Sequence, residues 1–494
     1  MQREETGRLS ACLRGAVAAA FLLISAAFNS AYAIDEFFPT FGNRGIDVRH
    51  YAISLDVAGQ GGRLDGKAVL QIKATERLRR FSLDLSRLKV RKVEIDGVPA
   101  NFRQADDKLF VRLATAVPRG RTFQASISYG GAPRPIPDPT VEDPSEVPGL
   151  GWTRYRNASY VVSEPVGAGS WYPVNDVPTD KATYRFAITV DKPYIALANG
   201  EPQSVTDLGQ RRRFVWAQRQ PMASYLAITD VDRYRVERGR SASGVPIRNY
   251  LTSATPAASV AALRKTPQMI DFIERLIGPY PFGGYGVVMV DDPDLYYALE
   301  TQSVSTFPSS WVDELTVVHE LAHQWFGDAI TVAQWRDLWL AEGFATYFEY
   351  LWQYRGRPRG FVNGLNELYR YVVRFEVGPA VVSRPEDLFA DNTYYRGALT
   401  LEALRRNIGD AKFQRVLRSW YRAHRNGNAT SADFIRLAAG IGGPGVRPLL
   451  RAWLYEQPVP PFPGAGSAAA PDLSSTAAVA APQLGIGVRR RHAP

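Results

Sequence analysis

The sequence predicts an α+β chain whose first half is antiparallel β structure and whose second half is mostly helical. Two observations carry this expectation. The hydrophobic period is two from about residue 46 to 240, and it lengthens to helical spacing after about residue 255. Composition makes both halves globular, because 45% hydrophobic and 22% charged residues is an ordinary balance for a folded chain. At 494 residues the chain exceeds the size at which one core stops growing, so more than one folded unit is expected.

In the first half, Tyr51, Ile53, Leu55 and Val57 alternate with polar neighbours, as do Phe186, Ile188 and Val190. Turn residues punctuate such runs at Asp96-Gly97, Gly130-Gly131 and Asn199-Gly200. In the second half the longer periodic stretches are 311–326, 341–355, 397–408 and 411–425, with Gly409 as a stop between the last two. One β segment, Tyr285 to Val290, interrupts them. The expected units are therefore a β-sheet domain over 34–240 and a second domain over 241–463. Residues 464–494, rich in Ala, Gly, Pro and Ser, read as a low-complexity tail.

The first 33 residues read as an export signal. Arg3, Arg8 and Arg14 precede an apolar run from Ala16 to Phe28, and Ala31-Tyr32-Ala33 follows as a cleavage pattern. The run is short for a transmembrane span, and a retained anchor is the alternative reading. Cleavage would place the mature chain outside the cytoplasm, secreted or periplasmic, with no transmembrane segment. It would also remove Cys12, the only cysteine, so a disulfide or thiol nucleophile is excluded and any metal must be held by histidine and carboxylate. The formal charge of +10 is scattered, with no Lys/Arg stripe interleaved with aromatics, so nucleic acid is not an expected partner.

The chemistry concentrates in His319-Glu320-Leu321-Ala322-His323. On a helix, residues four apart are separated by about 40° around the axis, so both imidazoles face one point. Glu320 lies about 100° on from His319, placed to reach a metal-bound water without ligating the metal. Zinc takes a third protein ligand and keeps one position open. Glu342, within the helically spaced run Trp339 to Tyr347, supplies that ligand from a second helix. Two histidines and one glutamate form a hydrolytic zinc set, with one zinc ion per chain expected. A surface helix carrying two unrelated histidines is the competing reading.

The stretches VVHELAHQWFGD (317–328) and WRDLWLAEGFATYFEY (335–350) resemble the zinc signatures of the aminopeptidase N family. The segments 171–190, 221–234 and 277–290 extend the resemblance over most of residues 45–460. It implies an N-terminal β-sheet saddle domain followed by a thermolysin-like catalytic domain, in a short form that stops where the family's helical C-terminal domain would begin. It further implies that Glu300, in Tyr297-Ala298-Leu299-Glu300-Thr301, lies on an edge strand and binds the free α-amine of a peptide. Glu164, in Ser163-Glu164-Pro165, stands where the family has a Gln that shapes the first substrate subsite, and it adds an anionic contact for the amine. Tyr394, in Tyr394-Tyr395-Arg396-Gly397, becomes the oxyanion donor, with Tyr395 its adjacent competitor. Glu349 matches a family carboxylate that orients a zinc-bound imidazole, although an exposed helical carboxylate fits the sequence equally well.

The resulting expectation is an aminopeptidase acting on peptides with a free N-terminus. Zinc held by His319, His323 and Glu342 would activate water, Glu320 would carry the proton, Tyr394 would stabilise the oxyanion, and Glu300 with Glu164 would hold the amine. A gluzincin endopeptidase or a non-catalytic peptide-binding protein are the alternatives. The first has no use for Glu300, and the second would be expected to have lost a ligand or Glu320.

Overall fold

A computed structural model of the protein describes residues 35–463, apart from residues 60 and 146. The segments read as an export signal and as a low-complexity tail fall outside the described residues. The α+β organisation expected from hydrophobic period is present. An eight-stranded sheet runs in the order Glu201–Asp207, Arg211–Met222, Ala182–Asp191, Ile46–Ala58, Arg63–Ala74, Thr122–Gly131, Lys89–Ile95, Val98–Pro99. Alternation dictates its faces: Tyr51, Ile53, Leu55 and Val57 are buried, and their neighbours are not fully so. Asp96-Gly97 makes the tight turn between the last two strands, with positive φ at both residues, 48° and 83°.

One pairing departs from the antiparallel expectation. His50 to Asp56 runs parallel to Thr183 to Thr189, so two distant strands meet at the middle of the sheet. A period of two identifies a strand and its buried face but carries no information about the direction of its neighbour. Gly130-Gly131, read as a turn, instead ends the strand Thr122–Gly131.

The second half begins from a four-stranded sheet in the order Arg235–Arg240, Pro246–Leu251, Tyr285–Val290, Ser305–Pro308. Tyr285–Val290 lies parallel to both neighbours and every residue in it is buried. A parallel strand covered on both faces reads as a continuous apolar run, which is why YGVVMV stands out. Helices Glu314–His323, Trp339–Gln353, Pro358–Arg374, Gly397–Ile408 and Asp410–His424 follow, four of them within a few residues of the spans read from the sequence.

The two halves are pinned together by polar as well as apolar contacts. Tyr160, Val162, Val290, Leu295, Tyr297 and Leu299 form a small apolar cluster across the junction, and Tyr160 Oη donates to Asp292 Oδ2 at 2.9 Å. Lys181, at the start of a central strand of the large sheet, donates through Nζ to the carbonyl of Asp328 at 2.7 Å and to Thr331 Oγ1 at 3.0 Å. Burial pulls its ammonium down to about 7, and the Asp328 charge opposes that shift. Lys181→Met should therefore cost about 2–3 kcal/mol of stability, because a charged donor is lost and buried acceptors are orphaned. Denaturant unfolding of the two proteins measures this, and unchanged midpoints would remove Lys181 from the account.

Candidate metal centre

The helix carrying the two histidines is started by Asp313, whose Oδ1 accepts from the Thr316 backbone N at 2.8 Å and from Thr316 Oγ1 at 2.9 Å. Spacing along Glu314–His323 then puts His319 and His323 on one face, with ring centroids 4.7 Å apart. Glu342 projects to the same point from Trp339–Gln353. Its Oε2 is 3.2 Å from His319 Nε2 and 3.3 Å from His323 Nε2.

The other ring nitrogens are held in place. His319 Nδ1 lies 2.6 Å from Glu349 Oε1, and His323 Nδ1 lies 3.0 Å from the Phe326 carbonyl. Both contacts are satisfied by a proton on Nδ1, which turns each Nε2 toward Glu342. Glu349 is fully buried at 0% exposure, so the solvated-helix alternative for it is removed. Glu342 and Glu349 are two helical turns apart, which stacks them on one face and lets one helix supply both carboxylates.

The donor set fits zinc. Two imidazole nitrogens and one carboxylate oxygen converge, and tetrahedral bonds of about 2.0–2.1 Å separate neighbouring donor atoms by about 3.3 Å. With protons as the only cations, burial would lower both imidazoles, yet the charge of Glu342 and Glu300 together with the Glu342 contact raises His323 to about 9. Burial would likewise raise Glu342, but the His323 charge and the contacts with both imidazoles jointly hold it down to about 2. The cluster therefore demands positive charge, and a divalent cation supplies it more compactly than two protons do.

Three further carboxylates border this set. Burial pushes Glu320 up to about 8, against the pull of both histidines. Its oxygen lies within 4.8 Å of atoms of Glu300 and His323, off the triad of ligands. Oxygens of Glu164, Glu300 and Glu342 also lie within 4.8 Å of one another. Glu164 comes from the β half of the chain, so the sequence-derived site residues from both halves meet at one place. Burial raises Glu300 as well, and its Oε1 has no hydrogen-bond partner.

Glu300 does not sit in a regular edge strand. The edge strand is Ser305–Pro308, and Leu299 pairs with Thr306 by a single antiparallel bridge. The strap carrying Glu300 is held instead by Gln324, a residue that the sequence reading did not single out. Gln324 Nε2 donates to the Glu300 carbonyl at 3.1 Å, and its Oε1 accepts from the Ser303 N at 2.8 Å. A fully buried glutamine directly after the second histidine is the available signal, since a buried amide must be bonded. Asn199 grips the same strap from the other half, donating to the Gln302 carbonyl at 2.8 Å.

Tyr394 lies in a turn of π-helix, Asn392–Arg396, that the sequence did not foresee. Its ring stands 6.1 Å from that of His319, near parallel at 19°. Tyr395 points elsewhere, its ring 5.6 Å from Tyr371. The wider helical turn thus separates the two adjacent tyrosines, and Tyr394 is the one beside the metal ligands.

Two outcomes follow for metal binding. Glu320→Gln should retain zinc, whereas His323→Ala should lose it, as measured by metal content after dialysis. In the metal-free protein the imidazoles are protonated up to about pH 9 for His323, so zinc must displace protons. Zinc affinity should accordingly rise as pH increases from about 6 to 9, read by chelator competition, and a flat profile would contradict this electrostatic account.

Comparison with known proteins agrees with this centre. Residues 261–453 match the Peptidase family M1 domain, and residues 48–226 match the Peptidase M1 N-terminal domain. The crystal structure of the M1 zinc metallopeptidase from Deinococcus radiodurans superposes with a TM-score of 0.81 at 31% identity, covering 87% of this chain and 98% of that one. A mutant of it bound to a Tyr-Ser-Ala substrate superposes equally well, at 0.81. Glutamyl aminopeptidase from Bos taurus is 27% identical over 338 residues, which is 60% of this chain and 34% of the relative. The Tricorn protease-interacting factor F2 of Thermoplasma acidophilum is 24% identical over 407 residues, 76% of this chain and 49% of the relative. The chain thus spans about a third to a half of the length of these curated relatives. Both domain matches together cover more than half of the sequence, in the order the fold requires, and the chain belongs to peptidase family M1.

Proposed function

We propose that the protein is a zinc-dependent aminopeptidase that removes the first residue from peptides. The carrying observation is the pair Glu164 and Glu300, two buried carboxylates beside the ligand Glu342, with Glu300 Oε1 unpartnered. Buried negative charge of this kind is compensated by a substrate that brings an ammonium. A peptide with a free N-terminus does so, and the pairing fixes the distance from the amine to the bond attacked.

His319, His323 and Glu342 would hold a zinc ion, which would supply Lewis acidity to water and to a carbonyl. Glu320 takes the proton released as water attacks the first peptide carbonyl. It returns the proton to the leaving nitrogen. The Tyr394 hydroxyl donates to the oxygen on which negative charge develops, an interaction that strengthens only in the transition state. Glu349 fixes the His319 ring and stays out of the proton transfer.

The names of the curated relatives and the peptide bound by the Deinococcus neighbour support this reading. An endopeptidase would bury an acylated nitrogen against Glu300, leaving its unpartnered Oε1 without the positive charge that a free amine brings. Export by the leader over residues 1–33 places the activity outside the cytoplasm, and N-terminal sequencing of the mature protein should begin directly after Ala33.

The deciding experiment is mass spectrometry of a decapeptide, free and N-acetylated, with and without chelator. Stepwise loss of N-terminal residues from the free peptide alone is expected. Internal cleavage of both forms at similar rates would replace this reading with the endopeptidase one. Tyr394→Phe should lower kcat about 100-fold with little change in KM, while Tyr395→Phe should leave kcat nearly intact.

A further inference from the structure

Positive charge that is scattered along the sequence is gathered by the fold on one outer face of the β half. A three-stranded sheet lies there in the order Leu78–Asp84, Lys108–Val117, Asn101–Ala105. Arg77, Arg79, Arg112 and Arg121 line a cavity of about 880 Å³ beside it. Arg77 and Arg79 also line a second cavity of about 620 Å³, together with Arg44, Arg80 and Arg103. The two cavities thus share a wall, and they carry seven arginines against two carboxylates, Glu76 and Asp96.

All seven arginines are exposed, and none has an ion pair or a side-chain hydrogen bond among the described residues. Other arginines of the same half are paired, as Arg91 is with Asp65 at 2.7 Å and Arg211 with Asp56 at 2.7 Å. Strand register adds repulsion. Arg80 and Arg112 stand directly opposite each other on neighbouring strands, a like-charge pairing that weakens a sheet until an anion lies over it. Apolar surface accompanies the charge. Val98, beside the tight Asp96-Gly97 turn, is 60% exposed and lines the larger cavity. Phe102, 37% exposed, directly follows the lining residue Asn101.

Unpaired guanidinium groups interspersed with projecting apolar side chains match an anionic bilayer, whose phosphates meet the charges while its acyl boundary receives the apolar groups. We propose that this face docks the protein on membranes containing anionic lipid. A nucleic acid fits less well, because single strands need open aromatic rings for stacking. Of the aromatic residues lining the cavities, Phe81 and Phe123 are buried, and Phe110 lies under the Arg103 guanidinium, 4.7 Å from its ring centre. The proposal is independent of the aminopeptidase reading, since none of the residues assigned to metal or peptide lines either cavity.

The test is co-sedimentation of the full chain with vesicles of phosphatidylcholine alone and of phosphatidylcholine with about 30% phosphatidylglycerol. Binding to the anionic vesicles should be at least about tenfold tighter at low salt and should fall about tenfold in about 0.5 M salt. The triple variant Arg79→Gln, Arg80→Gln, Arg112→Gln should weaken it on the order of a hundredfold, about fivefold per charge. Because the whole chain is basic, a control triple, Arg359→Gln, Arg415→Gln, Arg447→Gln, removes the same charge from exposed positions of the helical half and should bind as wild type does. Equal affinity for neutral and anionic vesicles would overturn the proposal whatever the variants do, as would equal losses in the two triples. Val98→Ser combined with Phe102→Ser separates a bilayer from a soluble polyanion. It should weaken vesicle binding severalfold and leave heparin binding unchanged. Vesicle binding that survives this change, or heparin held more tightly than the vesicles, would assign the face to a soluble polyanion instead.

Discussion

Five buried carboxylates gathered round two imidazoles form the constraint to which the rest of the structure answers. Glu164, Glu300, Glu320, Glu342 and Glu349 are each at most 5% exposed. The strongest charge effects on Glu300, Glu320 and Glu342 come from one another and from His319 and His323, with no lysine or arginine among them. Removing such charges from water without partners costs several kcal/mol per ion, far more than single contacts elsewhere return. Protons on the imidazoles and on the carboxylates that burial raises offset this cost in part, and a divalent metal does so more compactly. Metal affinity is in this sense a consequence of the carboxylate excess.

Holding those groups at ligand distance demands close backbone approach. Gly343 of the Glu342 helix packs against Gly397, and a Cβ on either would fall within 3.0 Å of the other's backbone. That contact lets Gly397–Ile408 and the preceding π-turn come near enough for Tyr394 to stand beside His319. Gly327 plays the same part for His323: at φ 131°, a side chain there would meet the Nδ1 atom at 3.2 Å. Polar tethers complete the frame, with Gln324 and Asn199 holding the Glu300 strap from opposite halves of the chain.

What the sequence disclosed follows from the range over which each interaction acts. His319, His323 and Glu320 are set by helical geometry within five residues, so their relation was legible from spacing alone. Glu342 required only a second helix. Glu349 was ambiguous because a helical wheel gives its face but not what covers that face, and the covering group is His319, thirty residues earlier. Gln324 escaped notice for a related reason, since its partners Glu300 and Ser303 reach it from a separate strap. The parallel pairing of Ile46–Ala58 with Ala182–Asp191 and the π-turn at Asn392–Arg396 leave no periodic trace, because tertiary packing imposes both.

The same charge excess accounts for selectivity as well as for metal. Under the proposed function, a site with Glu300 Oε1 unpartnered would discriminate by the formal charge of what approaches it, favouring an ammonium over an amide nitrogen. Glu164 and Glu300 arrive from different halves of the chain, so the proposed anchor exists only while the halves are docked through Lys181, Tyr160 and the apolar cluster around Tyr297. On the proposed function domain docking is part of substrate recognition, and a substitution at the junction acts on the distance between two carboxylates. Loss of docking would leave the three zinc ligands intact, because His319, His323 and Glu342 all lie on the helical side. The metal centre and the proposed amine anchor are separable in structure, and the proposed function needs both at one buried point.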